Sequence, residues 1–129
     1  NYLLKKNIKY KNFINVSEKK IIELYNMSFV LINPSLYEGF GLTNLEAQKM
    51  GVPVITSNIS PMKEIMRDSA ILVNPNDENE IYRNLNKIYC DKLLRNKIII
   101  KGYKNILDYD VSFAKKKYFD LYKDILISN

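Results

Sequence analysis

Up to about Pro75, short apolar runs bounded by turn residues alternate with helical periodicity; beyond it the pattern is helical almost to the end. Phe13-Ile14-Asn15-Val16 reads as a short strand, and Ser17 is suited to cap the helix that follows. From Glu18 to Met27, Ile21, Ile22, Leu24 and Tyr25 share one helical stripe. Phe29-Val30-Leu31-Ile32 is an unbroken apolar run, which predicts a strand covered on both faces. Leu42, Leu45 and Met50 then recur at helical spacing, with Gly51 placed to end the helix. Pro53-Val54-Ile55-Thr56 predicts another buried strand, Pro61 opens a short helix to Met66, and Ile71-Leu72-Val73 predicts a fourth strand. After Asp77, Ile81, Leu85, Ile88 and Tyr89 form one helical stripe, and Leu93, Leu94, Ile98 and Ile99 form another. Phe113, Tyr118, Leu121, Tyr122 and Ile125 mark a final amphipathic helix.

Short strands without alternation, separated by helices, predict parallel βαβ units: an α/β fold with a Rossmann-like open parallel sheet and flanking helices. Such sheets bind ligands beyond the carboxyl ends of their strands, which directs attention to the loops after Val16, Ile32, Thr56 and Val73. The sheet is expected to lack its first strands. The 129 residues are expected to form one domain.

Composition narrows the chemistry. With no His in the chain, Ser-His-Asp and Cys-His nucleophile systems and His-containing zinc sites are excluded. Cys90, the single cysteine, has no internal disulfide partner and suits a reducing compartment. The net charge of +6 comes from lysines spread along the chain, densest at Lys5, Lys6, Lys9 and Lys11 and at Lys115, Lys116 and Lys117. A solvated basic exterior accounts for them; attraction to an anionic membrane or nucleic acid is the alternative. No apolar run reaches the ~18 residues of a membrane span, and the amino terminus lacks the order of a secretory signal.

Gly39, Gly41 and Gly51 fall close together, and two of them flank Phe40 in the run Pro34-Ser35-Leu36-Tyr37-Glu38-Gly39-Phe40-Gly41-Leu42-Thr43-Asn44-Leu45-Glu46-Ala47. Glycine permits positive φ and close backbone approach to a ligand. A helix beginning near Leu42 offers unpaired N–H groups and a positive dipole end, about 0.3–1 kcal/mol for each favourable charge. Phosphate suits such a site. Glu46, one turn into the helix, would repel a phosphate beside it but accepts hydrogen bonds from a neutral diol such as ribose. Glu38, before the helix, suits sugar hydroxyls. A nucleotide sugar combines these groups. A plain strand-to-helix turn flanked by solvated carboxylates explains the same spacing. A glycoside hydrolase pair fits less well: eight helical residues span about 12 Å, whereas a retaining pair stands about 5–5.5 Å apart.

The stretch from Pro34 to Ala47 resembles the E-x7-E region of retaining nucleotide-sugar glycosyltransferases of the GT-B fold (family 4, glycosyl transferases group 1), with its two glutamates at Glu38 and Glu46. Gly51-Val52-Pro53-Val54-Ile55-Thr56-Ser57 is similar to the family's next strand, and the similarity continues through Pro61–Ile65 and Asp68–Pro75. Tyr109 to Leu126 is similar to its final helical segment. Asn58-Ile59-Ser60-Pro61 stands where the family often has Gly-Gly.

The resemblance implies transfer of a sugar, with retention at the anomeric carbon, from a nucleotide-sugar donor to a glycan or lipid-linked acceptor. It implies Glu38 as the catalytic-site carboxylate on the donor sugar. It implies backbone amides of Gly39, Phe40, Gly41, Leu42 and Thr43 on the donor sugar and phosphate, Glu46 on the ribose and Val16 beside the base. No cofactor and no metal are expected. The 129 residues would be the donor-binding part of a longer enzyme whose N-terminal acceptor domain is its partner; the part alone would be inactive. Cytoplasmic residence follows, compatible with peripheral contact at the inner membrane face, and no nucleic-acid partner is expected. A non-catalytic nucleotide-sugar-binding module, or a basic surface-association module, is the alternative.

Overall fold

The computed structural model describes Lys6 and residues 8–127; Lys5 and the side chain of Phe113 lie outside what is described. The elements run α1 (Glu18–Met27), β1 (Leu31–Asn33), α2 (Leu42–Lys49), β2 (Val54–Ser57), α3 (Met62–Met66), β3 (Ile71–Val73), α4 (Glu78–Cys90), α5 (Lys92–Asn105), a 3-10 turn (Ile106–Tyr109) and α6 (Val111–Ile127).

Local chemistry explains most of these boundaries. The Ser17 hydroxyl accepts the Lys20 amide at 3.3 Å and starts α1. Asp77 and Asp91 accept the Glu80 and Leu94 amides at 2.9 and 2.8 Å, starting α4 and α5. At the end of α2, Gly51 takes φ +70°. Its N–H donates to the Gln48 carbonyl at 3.0 Å, and the Val52 N–H to that of Ala47 at 2.9 Å. That pair of bonds is a Schellman motif, and it turns the chain directly into β2.

The sheet is three-stranded and parallel, in the order β1-β2-β3. Alternate residues of a strand face opposite sides, and the core divides accordingly. Val54 of β2 and Leu72 of β3 join Leu45, Ala47, Met62, Ile65 and Met66 of α2 and α3 on one face. Ile55, Ile71 and Val73 join Ile81, Leu85 and Ile88 of α4 and Leu94 and Ile98 of α5 on the other. The end of α5 returns to the first face, where the Asn105 side chain donates to Gln48 at 3.0 Å.

Four expectations change. Phe13–Val16 is not a strand: Asn15 sits at φ 54°, which interrupts an extended run, and Phe13 and Ile14 are exposed. The described sheet therefore has three strands rather than four. The apolar run from Phe29 yields a strand shifted to Leu31–Asn33, with Ile32 exposed at the edge of the described sheet; of the three described strands only β2 is buried throughout. The helical stripes are narrower than their periodicity implies, since Ile21, Ile22, Tyr89 and Leu93 are exposed. The final helix forms as expected, but Tyr118, Leu121, Tyr122 and Ile125 face solvent.

Truncating Ile55, wholly buried at the sheet centre, should cost about 2–5 kcal/mol. Leu93→Ala, at an exposed position, should stay within about 0.5 kcal/mol. Urea denaturation of the two variants checks this.

Candidate active site

The loop from Pro34 to Gly41 leaves the carboxyl end of β1, and buried polar side chains fasten its base. Asn44, one turn into α2 and wholly buried, donates through Nδ2 to Thr56 Oγ1 at 3.1 Å and towards Met62 Sδ at 3.0 Å. Its Oδ1 accepts from Asn33 Nδ2 at 3.2 Å. Thr56 in turn donates to the Asn33 carbonyl at 2.9 Å. Ser35 donates to Asn33 Oδ1 at 3.0 Å, and its own carbonyl accepts from the Ser57 hydroxyl. The ends of β1 and β2, the start of α3 and the first turn of α2 thus share one hydrogen-bonded knot.

Above it, Gly41 adopts φ +74° and ends the loop without any side-chain cap on α2. The Asn44 and Leu45 amides reach back to the Gly41 carbonyl at 2.9 and 3.3 Å. Those of Leu42 and Thr43 have no acceptor among the described residues, and both residues are exposed. The Phe40 ring leans edge-on against Tyr109, 5.8 Å between centroids, so that side chain is spoken for within the fold. Glu38 is half-buried and makes no hydrogen bond or ion pair among the described residues. Glu46 is exposed on α2, and its Oε2 accepts from the Tyr25 hydroxyl at 3.1 Å. That hydroxyl also lies 3.3 Å from the Thr43 carbonyl. Burial, then the hydrogen bond to Glu46 and its negative charge, push the Tyr25 hydroxyl up to about 12. It remains a protonated donor throughout the physiological range.

The fold therefore brings Glu38, Gly39, Phe40, Gly41, Leu42, Thr43 and Glu46 to one end of the sheet. Val16 is different: it is half-buried in the segment before α1 and does not stand at the end of a strand.

A match to the family described as glycosyl transferases group 1 covers residues 1–105. The chain belongs to that family. Among curated relatives of this group 1 glycosyltransferase chain, O-antigen chain mannosyltransferase B of Escherichia coli is 39% identical over 66 residues, which are 51% of this chain and 17% of that protein. O-antigen chain mannosyltransferase RfbU of Salmonella typhimurium is 37% identical over 75 residues, 58% of this chain and 21% of the relative. The chain thus spans about a fifth of the length of these relatives. Among solved structures, the C-terminal domain of a group 1 glycosyl transferase (LpcC) from Francisella tularensis matches with a TM-score of 0.72 and 31% identity, over 84% of this chain and 56% of that one. A glycosyltransferase from Rickettsia africae matches with a TM-score of 0.81 and 25% identity, over 96% of this chain and 34% of that one. The three-stranded parallel sheet with flanking helices is the Rossmann-like C-terminal architecture of GT-B glycosyltransferases.

In this group 1 chain the residues that sequence reasoning passed over are Asn33, Asn44, Thr56 and Tyr25. A signal for Asn44 was available. The buried face of α2 is Asn44, Leu45, Ala47 and Gln48, not a stripe through Leu42, which is exposed as the first helical residue. Two amides four residues apart beside Leu45 and Ala47 mark polar groups turned inward. A cleft of about 360 Å³ lies elsewhere, at the amino end of β3. It holds none of the nominated residues, and four of its charged groups pair with one another, Arg67 with Asp108 at 2.8 Å and Lys101 with Asp68.

The two glycines of the loop separate cleanly. A Cβ on Gly41 would stand 2.5 Å from the buried Met62 side chain at a φ that disfavours L-residues, so Gly41→Ala should lose about 1–3 kcal/mol. A Cβ on Gly39 meets nothing within 4 Å, and Gly39→Ala should stay within about 0.5 kcal/mol. Chemical denaturation of both variants tests the contrast.

Proposed function

We propose that this chain is the donor-binding part of a retaining glycosyltransferase that moves a sugar from a nucleotide-sugar donor onto a glycan or lipid-linked acceptor. The observation that carries the reading is the open start of α2: uncapped amides of Leu42 and Thr43 beside an exposed, oriented Glu46. A pyrophosphate accepts hydrogen bonds from those amides and gains from the helix dipole, with backbone groups rather than a resident metal ion as its partners. Glu46 takes the ribose diol through its remaining lone pairs. Glu38, half-buried and with no hydrogen bond or ion pair among the described residues, binds hydroxyls of the donor sugar, where the reacting carbon lies. Gly39 is a residue whose missing Cβ the fold itself does not require; close passage of the donor sugar supplies the reason. Val16, two residues before α1, is assigned to the side of the base.

The two glutamates with seven residues between them form the family's E-x7-E pair in this reading. The mannosyltransferases among the relatives act, by their names, on O-antigen chains, which supports a growing polysaccharide as acceptor. An upstream acceptor domain completes the enzyme, and a lipid-linked acceptor would bring its basic surface to the inner face of a membrane. No helix among the described residues is long and apolar enough to cross one.

Ligand-observed NMR of the full-length protein against UDP-, GDP- and ADP-sugars should show one nucleotide class binding. Glu46→Gln should weaken that binding about tenfold or more and abolish transfer, while the thermal midpoint is kept because Glu46 is exposed. Wild-type turnover by the Gln variant with its proper donor would overturn the assignment.

A further inference from the structure

We infer that Tyr25 is a positioning residue: its hydroxyl holds the Glu46 carboxylate in the orientation that accepts the ribose diol. The inference rests on the nucleotide-sugar reading and assigns a device to it. Glu46 is exposed on α2, and a free glutamate there would sample several rotamers. The contact at 3.1 Å occupies one side of Oε2 and leaves Oε1 and the outer lone pairs available. A diol needs two acceptors at fixed spacing, so ordering the carboxylate beforehand removes a cost otherwise met at binding.

Two further features distinguish this contact from a casual surface hydrogen bond. The Tyr25 hydroxyl is also 3.3 Å from the carbonyl of Thr43, whose own amide is one of the open donors at the start of α2. The same side chain thus touches both halves of the proposed cradle. In addition, α1 has no buried residue, and half-buried Tyr25 is its residue packed against the core of the first sheet face. The helix that begins just after Val16 is therefore tied to the carboxylate by the ring that positions it. Tyr25→Phe keeps this packing and removes only the donor.

The experiment measures dissociation constants of UDP and GDP, each paired with its 2′-deoxy analogue, for the full-length protein. Wild type should favour the ribonucleotide of the preferred base. Glu46→Ala should reduce that preference about tenfold or more. Tyr25→Phe should reduce it about 3–10-fold while changing affinity for the deoxynucleotide less than about twofold. The double variant should fall no further than Glu46→Ala. Both nucleotides are measured on one sample, so partial unfolding cancels from the ratio. Should Tyr25→Phe not fold, Tyr25→O-methyltyrosine removes the same hydrogen and carries the same test. Tyr25→p-aminophenylalanine restores a donor at that place and should recover the preference. If Glu46→Ala collapses the preference but the donor-less Tyr25 variants keep it, the positioning role is wrong. If Glu46→Ala itself leaves the preference intact, the ribose assignment fails instead.

Discussion

The arrangement depends on one buried amide. Asn44 is wholly enclosed between the sheet and α3, and each polar edge of its side chain has a partner, in Thr56, Met62 and Asn33. An unmet polar group in that position would cost about 1–3 kcal/mol, so the four segments can close only in the mutual positions that satisfy it. A hydrophobic contact would hold them together as strongly, but it would tolerate sliding. The directional bonds fix where β1 ends and where α2 begins, and hence where the Pro34–Gly41 loop stands between them.

With its base held, the loop can end openly. A side-chain cap on α2 would place an acceptor where the proposed pyrophosphate belongs; Gly41 supplies the turn through its backbone alone. A Cβ at Gly41 would also press on the Met62 side chain that completes the Asn44 shell, so that side chain would have to shift. The left-handed turn at residue 41 favours glycine, and the glycine leaves the helix end without a side-chain cap. Glu46, one turn deeper, introduces a negative charge near donors meant for an anion. Its hydrogen bond to Tyr25 holds that charge towards α1, so the donor and acceptor halves of the site are kept apart in space.

Much of the fold was legible from local chemistry. Ser17 and Gly51 announce helix boundaries by mechanisms that need only neighbouring residues, and they occur where expected. The glycine run and the carboxylates on either side of it lie together beyond the carboxyl end of β1, where the pattern of strands and helices put them. Strand status was less legible. Phe13–Val16 has strand composition, yet Asn15 turns away from the extended region, and nothing in a run of apolar residues reveals whether a neighbouring strand exists. Exposure is no more legible: Tyr89 and Leu93 fit a helical stripe, but the core takes Ile88, Leu94 and Ile98 and leaves those two in solvent.

The sequence by itself determined the succession of strands and helices from Glu18 onward, the glycine bend at residue 41 and the set of carboxylates available beside it. These follow from φ preferences, capping bonds and periodicity, all of which act over a few residues. Tertiary structure alone decided that Asn44 and Gln48 turn inward and that Tyr25 meets Glu46 across 21 residues of chain. Those outcomes depend on which distant polar groups come close enough to pair, and hydrogen-bond partners remote in sequence leave no periodic trace in it.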